Sequence, residues 1–141
     1  MPCPVGLGHG FVRQPTFTLT FTFTPPACTV PSGTGGDHMK LLFSTAPADQ
    51  ADRIAGTLLE ERLVACVNMV AGVKSRYWWK GALEEAEETV MMMKTTDELV
   101  GPAIDKLVEV HPYEVPEAVA VEIDAGSEAY LHWIGEVTRA P

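Results

Sequence analysis

The segment His111–Glu117, which reads HPYEVPE, constrains the fold more than any other stretch of this chain. Its two prolines fix φ at both positions and hold the residue before each in extended geometry. A helix that arrives from the N-terminal side must therefore end near His111, and a stiff connector follows it. The connector carries an imidazole, a phenol and two carboxylates. It either binds a ligand or joins a helix to a strand with a polar surface, and these residues alone leave both interpretations open.

Composition narrows the class of protein and of partner. A chain of 141 residues that is 46% hydrophobic and 21% charged indicates one soluble globular domain, alone or with a tail. No apolar run approaches the ~20 residues that span a bilayer, so we expect no membrane segment. The net charge of −9 disfavours nucleic acid and favours cations as partners.

The cysteines predict neither a disulfide framework nor a zinc ribbon. There are three, Cys3, Cys28 and Cys66, and none forms a CxxC pair. Cys66 lies in the apolar run Leu63–Val67, which is typical of a buried, inert thiol. A reducing, cytoplasmic compartment is the expectation.

Residues 1–38 differ from the rest of the chain. They are rich in proline and glycine and nearly free of charge, and Ser32–Gly36 reads as a flexible linker. We expect residues 1–38 to be a disordered or poorly ordered extension, and residues 39–141 to form the folded domain. The alternating run from Phe17 to Phe23 supports a competing interpretation, an extra edge strand.

The first half of the domain predicts a strand, a helix and a long hairpin. The expected elements are a strand at Lys40–Thr45, a helix at Pro47–Arg62, and strands at Val64–Trp79 and Ala82–Thr95 joined by a turn at Lys80-Gly81.

Charge pairing predicts the register of that hairpin. A turn centred between Lys80 and Gly81 places Arg76 opposite Glu85 and Lys74 opposite Glu87. Glutamates at 84, 85, 87 and 88 predict that the distal half of the ribbon is solvated on both faces. The apolar run Val90–Met93 predicts a covered central strand, with its methionines as core filler.

The second half repeats the helix-and-strand theme. Thr95 and Glu98 fit a capping box before a helix that ends at His111, although Pro102 means that this helix either begins near Gly101 or kinks. We further expect a strand at Ala118–Asp124 and a terminal helix capped by Ser127. The order β-α-β-β-α-β plus a terminal helix is the α+β, ferredoxin-like arrangement of an antiparallel sheet with two helices on one face. An open opposite face and a long exposed ribbon both favour self-association.

Six segments together resemble one family, the CutA divalent-cation tolerance proteins. The resemblance runs from Met39 to Glu136 and is carried by Ser44–Pro47, Leu63–Asn68, Tyr77–Gly81, Lys94–Thr96, His111–Glu117 and Tyr130–Trp133. It implies a cytoplasmic homotrimer whose hairpins pair with neighbouring subunits. It also implies a role in tolerance of copper and other divalent metals, with no catalytic activity.

The resemblance further implies a metal site with no tightly bound cofactor. Carried over by position, its ligands are His111 and Glu117, while the family's cysteine position is occupied by Ser44. A hydroxyl is a poor ligand for a soft ion, so the remaining nitrogen and oxygen set suits Cu(II) or another divalent cation such as Zn(II).

Two other classes of function remain as alternatives. A regulatory module resembling the PII signalling trimers would bind a small molecule or a partner protein at clefts between subunits. An enzyme is the less supported class, because no nucleophile arrangement and no phosphate-binding glycine loop occur. His132 is expected to be a packed or capping residue.

Overall fold

The computed structural model describes residues 38–139, in which three helices pack with a four-stranded sheet. The elements are β1 (Met39–Ala46), α1 (Ala48–Glu60), β2 (Cys66–Trp79), β3 (Ala82–Thr96), α2 (Asp97–Val110), β4 (Val119–Ile123) and α3 (Glu128–Thr138). This order confirms the predicted α+β, ferredoxin-like arrangement. The predicted extension and the alternative strand at Phe17–Phe23 lie outside the described residues, apart from His38.

The sheet has the order β2-β3-β1-β4, and every neighbouring pair is antiparallel. β3 is therefore a central strand, as the apolar run Val90–Met93 predicts. Met91 and Met93 are fully buried. They join a core that lies between the sheet and the first two helices and also includes Leu42, Ala46, Ala51, Ile54, Leu58, Val64, Ala103 and Leu107.

The first helix buries Ala51, Ile54, Ala55 and Leu58 and ends in a left-handed turn. Pro47 is the N-cap and not the first helical residue, so the helix begins one residue later than predicted. The Pro47 carbonyl accepts the first helical hydrogen bonds. At the other end Arg62 has a φ of +55°, and Leu63 N–H donates to the Leu58 carbonyl. This is the Schellman arrangement, with arginine where glycine is usual.

The hairpin has the predicted turn and the predicted register. Lys80 and Gly81 both have positive φ, 47° and 83°, as a tight two-residue loop requires. Arg76 pairs with Glu85, and its Nε donates to the carboxylate at 2.7 Å. Lys74 pairs with Glu87. Nearer the core, a bulge between Val70 and Val73 interrupts β2, and bulges of this kind bend and twist a strand.

The predicted capping box is wrong. The N-cap of α2 is Thr96, and the Thr95 hydroxyl instead donates to the Leu63 carbonyl at 2.6 Å. Thr95 is fully buried, so its side chain is committed to joining β3 to the turn after α1. The helix begins at Asp97 with Pro102 inside it, so a start near Gly101 is wrong as well. Ser127 is at the N-cap of α3 as predicted, although its side chain makes no capping bond.

The face of the sheet opposite α1 and α2 is only partly open. Successive side chains of a strand alternate between faces, so Met39 points away from the face that carries Leu42. Met39 is nonetheless buried, because α3 packs over it at Gly135. The expectation of a wholly open face is therefore wrong. The part beyond α3 remains exposed.

Between residues 38 and 139, each helix is too short or too polar to cross a membrane.

Candidate functional site

The predicted functional segment begins where α2 ends. Val110 is the last helical residue, and His111 has extended backbone angles, as the following proline demands. The last turn of α2 contains no basic side chain. Arg53 of α1 takes that role, because its Nη2 donates to the Val110 carbonyl at 2.8 Å. A cation at the C-terminal end of a helix is favoured by the helix dipole.

His111 is buried, with 8% of its surface exposed, and both of its ring nitrogens are hydrogen-bonded. Nε2 lies 2.9 Å from the Thr45 carbonyl, and Nδ1 lies 3.1 Å from the backbone nitrogen of Tyr113. A carbonyl only accepts and a backbone N–H only donates. The ring is therefore neutral and carries its proton on Nε2. Burial lowers the pKa of His111 below its ordinary value, although the bond to Thr45 partly opposes that effect.

Tyr113 extends the chain of hydrogen bonds to the ribbon. Its hydroxyl donates to Oε1 of Glu88 at 2.7 Å, and its ring packs against the His111 ring with centroids 4.9 Å apart. Glu88 is only 4% exposed, so the expectation that this carboxylate is solvated is wrong. Burial, followed by the bond to Glu88, raises the pKa of Tyr113. We call the series Thr45–His111–Tyr113–Glu88 the connector chain.

The connector chain joins three parts of the fold. Thr45 is near the end of β1, His111 and Tyr113 follow α2, and Glu88 stands in β3 at the base of the ribbon. β1 ends at Ala46, which pairs with Thr89. The next β3 residue in the direction of the tip, Glu88, has therefore passed the end of β1, and Tyr113 from the connector reaches its carboxylate.

The structure brings the two predicted ligands into different environments. Glu117 is exposed, and no hydrogen bond or ion pair links it to another residue in the described part of the chain. Over residues 38–139, no group of three or more histidine, cysteine, aspartate or glutamate side chains is arranged to hold a metal ion. Neither nitrogen of His111 has a free lone pair. The donor set of one protomer thus does not fit a divalent cation as it stands.

Ser44, at the family's cysteine position, is fully buried in β1. Its hydroxyl has no hydrogen-bond partner among residues 38–139. An unpaired buried hydroxyl costs roughly 1–3 kcal/mol, so Ser44 is a small destabilising element of the core. Cys66 is half-buried, and its Sγ lies 3.4 Å from the Tyr130 hydroxyl. No described contact joins Cys66 to either predicted ligand.

His132 lies on α3, away from the connector chain. It is exposed, and its Nε2 lies 3.6 Å from Oε1 of Glu136. The expectation of a packed or capping residue is therefore wrong. It borders a shallow cavity of about 390 Å³ that Met39, Gly126, Glu128 and Leu131 also line. The lining supplies only one carboxylate and one imidazole, too few polar groups to define a ligand.

Sequence reasoning missed Arg53, Thr45 and Glu88 as partners of the connector. Arg53 and Thr45 carry no local signal, because they meet His111 only through tertiary packing. Glu88 does carry one, since it is the last charged residue before the apolar run Val90–Met93 of the central strand. A charge at such a boundary requires a buried partner or solvent, and the connector supplies the partner.

Comparison with known proteins covers nearly the whole of the described fold. Residues 40–137 match the family model of the CutA1 divalent ion tolerance protein. The mouse protein CutA is 36% identical over 146 residues, covering 99% of this chain and 82% of its own length. The divalent-cation tolerance protein CutA of Thermus thermophilus is 40% identical over 100 residues, covering 70% of this chain and 97% of its own length.

A solved structure agrees with these relatives. The periplasmic divalent cation tolerance protein CutA of Archaeoglobus fulgidus is 37% identical, with a TM-score of 0.69, and the match covers 72% of this chain and 99% of that chain. None of these names carries a catalytic activity. The match to the family model spans every helix and strand of the described fold except the first residue of β1 and the last residue of α3. This chain therefore belongs to the CutA1 divalent ion tolerance protein family.

Proposed function

We propose that this protein acts in tolerance of divalent cations, copper among them, as a non-catalytic homotrimer that binds such cations. The observation that carries the proposal is the family match over residues 40–137, in which fold and sequence agree. The net charge of −9 supports a cationic partner. In a cell that lacks its own copy, expression of this chain should raise the Cu²⁺ concentration at which growth stops. An unchanged threshold at equal expression would count against the proposal.

The trimer is supported by apolar surface that one protomer leaves uncovered. Trp78 is 74% exposed and Leu83, directly opposite it on the ribbon, is 62% exposed. On β4, Val119 and Val121 are about half exposed. β2 and β4 are the edge strands of the sheet, and the outer edge of each is unpaired in one protomer. Exposed apolar surface of this kind, together with such edges, supports association between chains.

Sedimentation equilibrium tests the assembly directly. We expect a mass three times the 15.3 kDa of one chain at micromolar concentration. The variant Trp78→Glu should weaken association, because it buries a charge against apolar surface. Arg76→Glu is not a suitable control, since it also breaks the ion pair with Glu85. Lys74→Gln serves instead, because Lys74 lies opposite Glu87 but forms no salt bridge with it among residues 38–139. A stable monomer of the unaltered chain would refute the trimer.

The cation site implied by the family resemblance is a separate part of the proposal. If His111 and Glu117 bind the cation, His111→Asn and Glu117→Gln should each weaken Cu²⁺ or Zn²⁺ binding by about tenfold or more in calorimetry. Loss of a partner that only supports a ligand already costs about that much. Exposure of Glu117 supports its availability. The hydrogen bonds of His111 argue against its availability, because both ring nitrogens are already engaged.

A cytoplasmic location is supported by the free, half-buried thiol of Cys66 and by the odd number of cysteines. Cell fractionation with the native chain tests it. Recovery of the mature protein from an oxidising compartment would overturn this part of the proposal.

A further inference from the structure

We propose that His111 is a structural connector and not a cation ligand in this chain: its ring ties β1 to the segment after α2 and, through Tyr113, to the base of the ribbon. The inference opposes the assignment of His111 as a ligand, and it does not depend on the rest of the proposed function. It rests on the hydrogen bonds of the ring, on its neighbours and on its burial.

The first step concerns the ring nitrogens. A histidine binds a metal ion through a deprotonated nitrogen that has a free lone pair. In His111, Nε2 donates its proton to the Thr45 carbonyl at 2.9 Å. Nδ1 accepts from the Tyr113 N–H at 3.1 Å. A ligand bond at either nitrogen therefore requires that one of these hydrogen bonds be broken.

The second step concerns charge. The guanidinium of Arg53 donates to the carbonyl of Val110, the residue directly before His111, at 2.8 Å. Arg53 is itself exposed, so water screens this charge in part, but the charge still opposes positive charge at the imidazole. The carboxylate of Glu88 acts on the ring in the opposite sense, and it keeps its charge while it accepts from the neutral Tyr113 hydroxyl. Charge therefore does not select between ligand and connector, whereas the hydrogen bonds of the ring do.

The third step concerns what the ring does instead. Loss of the Nδ1 acceptor would leave the Tyr113 N–H without its partner, and loss of the Nε2 donor would remove the partner of the Thr45 carbonyl near the end of β1. Buried backbone groups are rarely left unpaired because each costs free energy. The imidazole is thus the piece that satisfies both groups and keeps Tyr113 where its hydroxyl reaches Glu88. Through this chain the connector holds the base of the ribbon.

The protonation state of the ring is the direct test. In nitrogen NMR spectra of the assembled protein with isotope-labelled histidine, His111 should show the neutral form protonated at Nε2. The spectrum of His111→Asn assigns its signals. Addition of excess Zn²⁺ should leave both ring nitrogens unshifted. A ring protonated at Nδ1, or nitrogen shifts typical of zinc coordination, would overturn the inference.

Two variants separate the structural role from ligation. His111→Asn keeps an acceptor near the position of Nδ1, and His111→Gln keeps a donor that can reach toward Thr45. Amide hydrogen exchange reports the Tyr113 N–H, and we expect protection to fall about tenfold or more in the glutamine variant and much less in the asparagine variant. Zn²⁺ affinity by calorimetry should match the unaltered chain in both, with Glu117→Gln as the matched control for the other predicted ligand.

The outcomes distinguish this inference from the proposed function. Equal Tyr113 protection in the two variants, combined with a tenfold loss of Zn²⁺ affinity in both, would refute the connector role. Failure of the unaltered chain to bind Zn²⁺ or Cu²⁺ at all would count against the proposed function alone, because the protonation state and exchange results would still stand. Loss of affinity only in Glu117→Gln would support cation binding without His111.

Discussion

Replacing Tyr113 with phenylalanine removes the hydroxyl that donates to the Glu88 carboxylate in the connector chain. The hydroxyl donates at 2.7 Å to Glu88, a carboxylate that is only 4% exposed. A hydrogen bond to a charged group contributes about 1.5–3 kcal/mol. Without it, the buried carboxylate would have neither the hydroxyl nor water as a partner. We therefore expect Tyr113→Phe to lower the free energy of unfolding by about 2 kcal/mol, roughly a thirtyfold change in the folding equilibrium.

Urea unfolding at pH 7, followed by tryptophan fluorescence, measures this loss. All variants are compared at one protein concentration, because association contributes to apparent stability. The control is Tyr77→Phe, which makes the same chemical change at a tyrosine with no hydrogen bond from its hydroxyl among residues 38–139. Because Tyr77 acts electrostatically on Tyr113, this variant is also measured in the Tyr113→Phe background. Glu88→Gln completes a double-mutant cycle, because its neutral amide can still accept from Tyr113 but buries no charge. The cost of Tyr113→Phe should be smaller in that background.

The pH dependence of the same pair has a definite sign. The pKa of Tyr113 is raised in the folded chain by burial and then by its bond to Glu88. Above the ordinary value of 10.0, the unfolded chain releases the phenolic proton while the folded chain retains it. Stability should therefore fall as pH rises through 10, and the fall should be shallower in Tyr113→Phe. Equal stability of Tyr113→Phe and the unaltered chain at pH 7 would refute the energetic reasoning.

Three further predictions follow from particular backbone and side-chain positions. Gly81→Ala should destabilise the hairpin by about 1 kcal/mol in urea unfolding, because φ at this position is +83°; an unchanged midpoint would contradict a turn of this kind. Arg62→Gly should be more stable than Arg62→Ala by about 1 kcal/mol, since both lose the bond to the Val137 carbonyl but only glycine relieves the left-handed strain; a more stable alanine variant would argue against that strain. The pKa of His111 is lowered in the folded chain from its ordinary value of 6.5. Just below that pH the unfolded chain binds a proton that the folded chain does not, so stability should decline as the pH falls from 6.5 to the folded pKa. His111→Asn should lack this component in unfolding curves recorded across that range, and a curve that declines as steeply would contradict the assignment.

The hairpin shows how far local pattern alone can reach. Cross-strand pairs such as Arg76 with Glu85 depend only on distance from the turn, so the register of the distal ribbon follows from the sequence. The end of α2 is similar, because Pro112 disfavours helical geometry at His111. The same preference is overridden at Gly101, which precedes Pro102 inside the helix. In both cases the interactions that fix the structure are between residues close together in the sequence.

The capping box shows where local pattern fails. Thr95 has the right spacing to Glu98, but its hydroxyl is fully buried and finds the Leu63 carbonyl from the turn after α1. A side chain in the core takes the partner that burial makes necessary, and that partner is distant in sequence. The same reason explains why Glu88, which reads as a ribbon surface charge, accepts from Tyr113 instead.

The sequence by itself determined the order of strands and helices, the turn of the ribbon, the end of α2 and the family resemblance, because each depends on short-range sterics, alternation or recognisable residues. Only the tertiary structure decided what the functional segment does within the protomer. His111 could be a ligand or a connector as long as its neighbours were unknown. Its two ring nitrogens lie against Thr45, 66 residues away, and Tyr113, two residues away. Packing of β1 against the segment after α2 occupies the lone pair and the proton of the ring, and no local pattern could have shown that both were engaged.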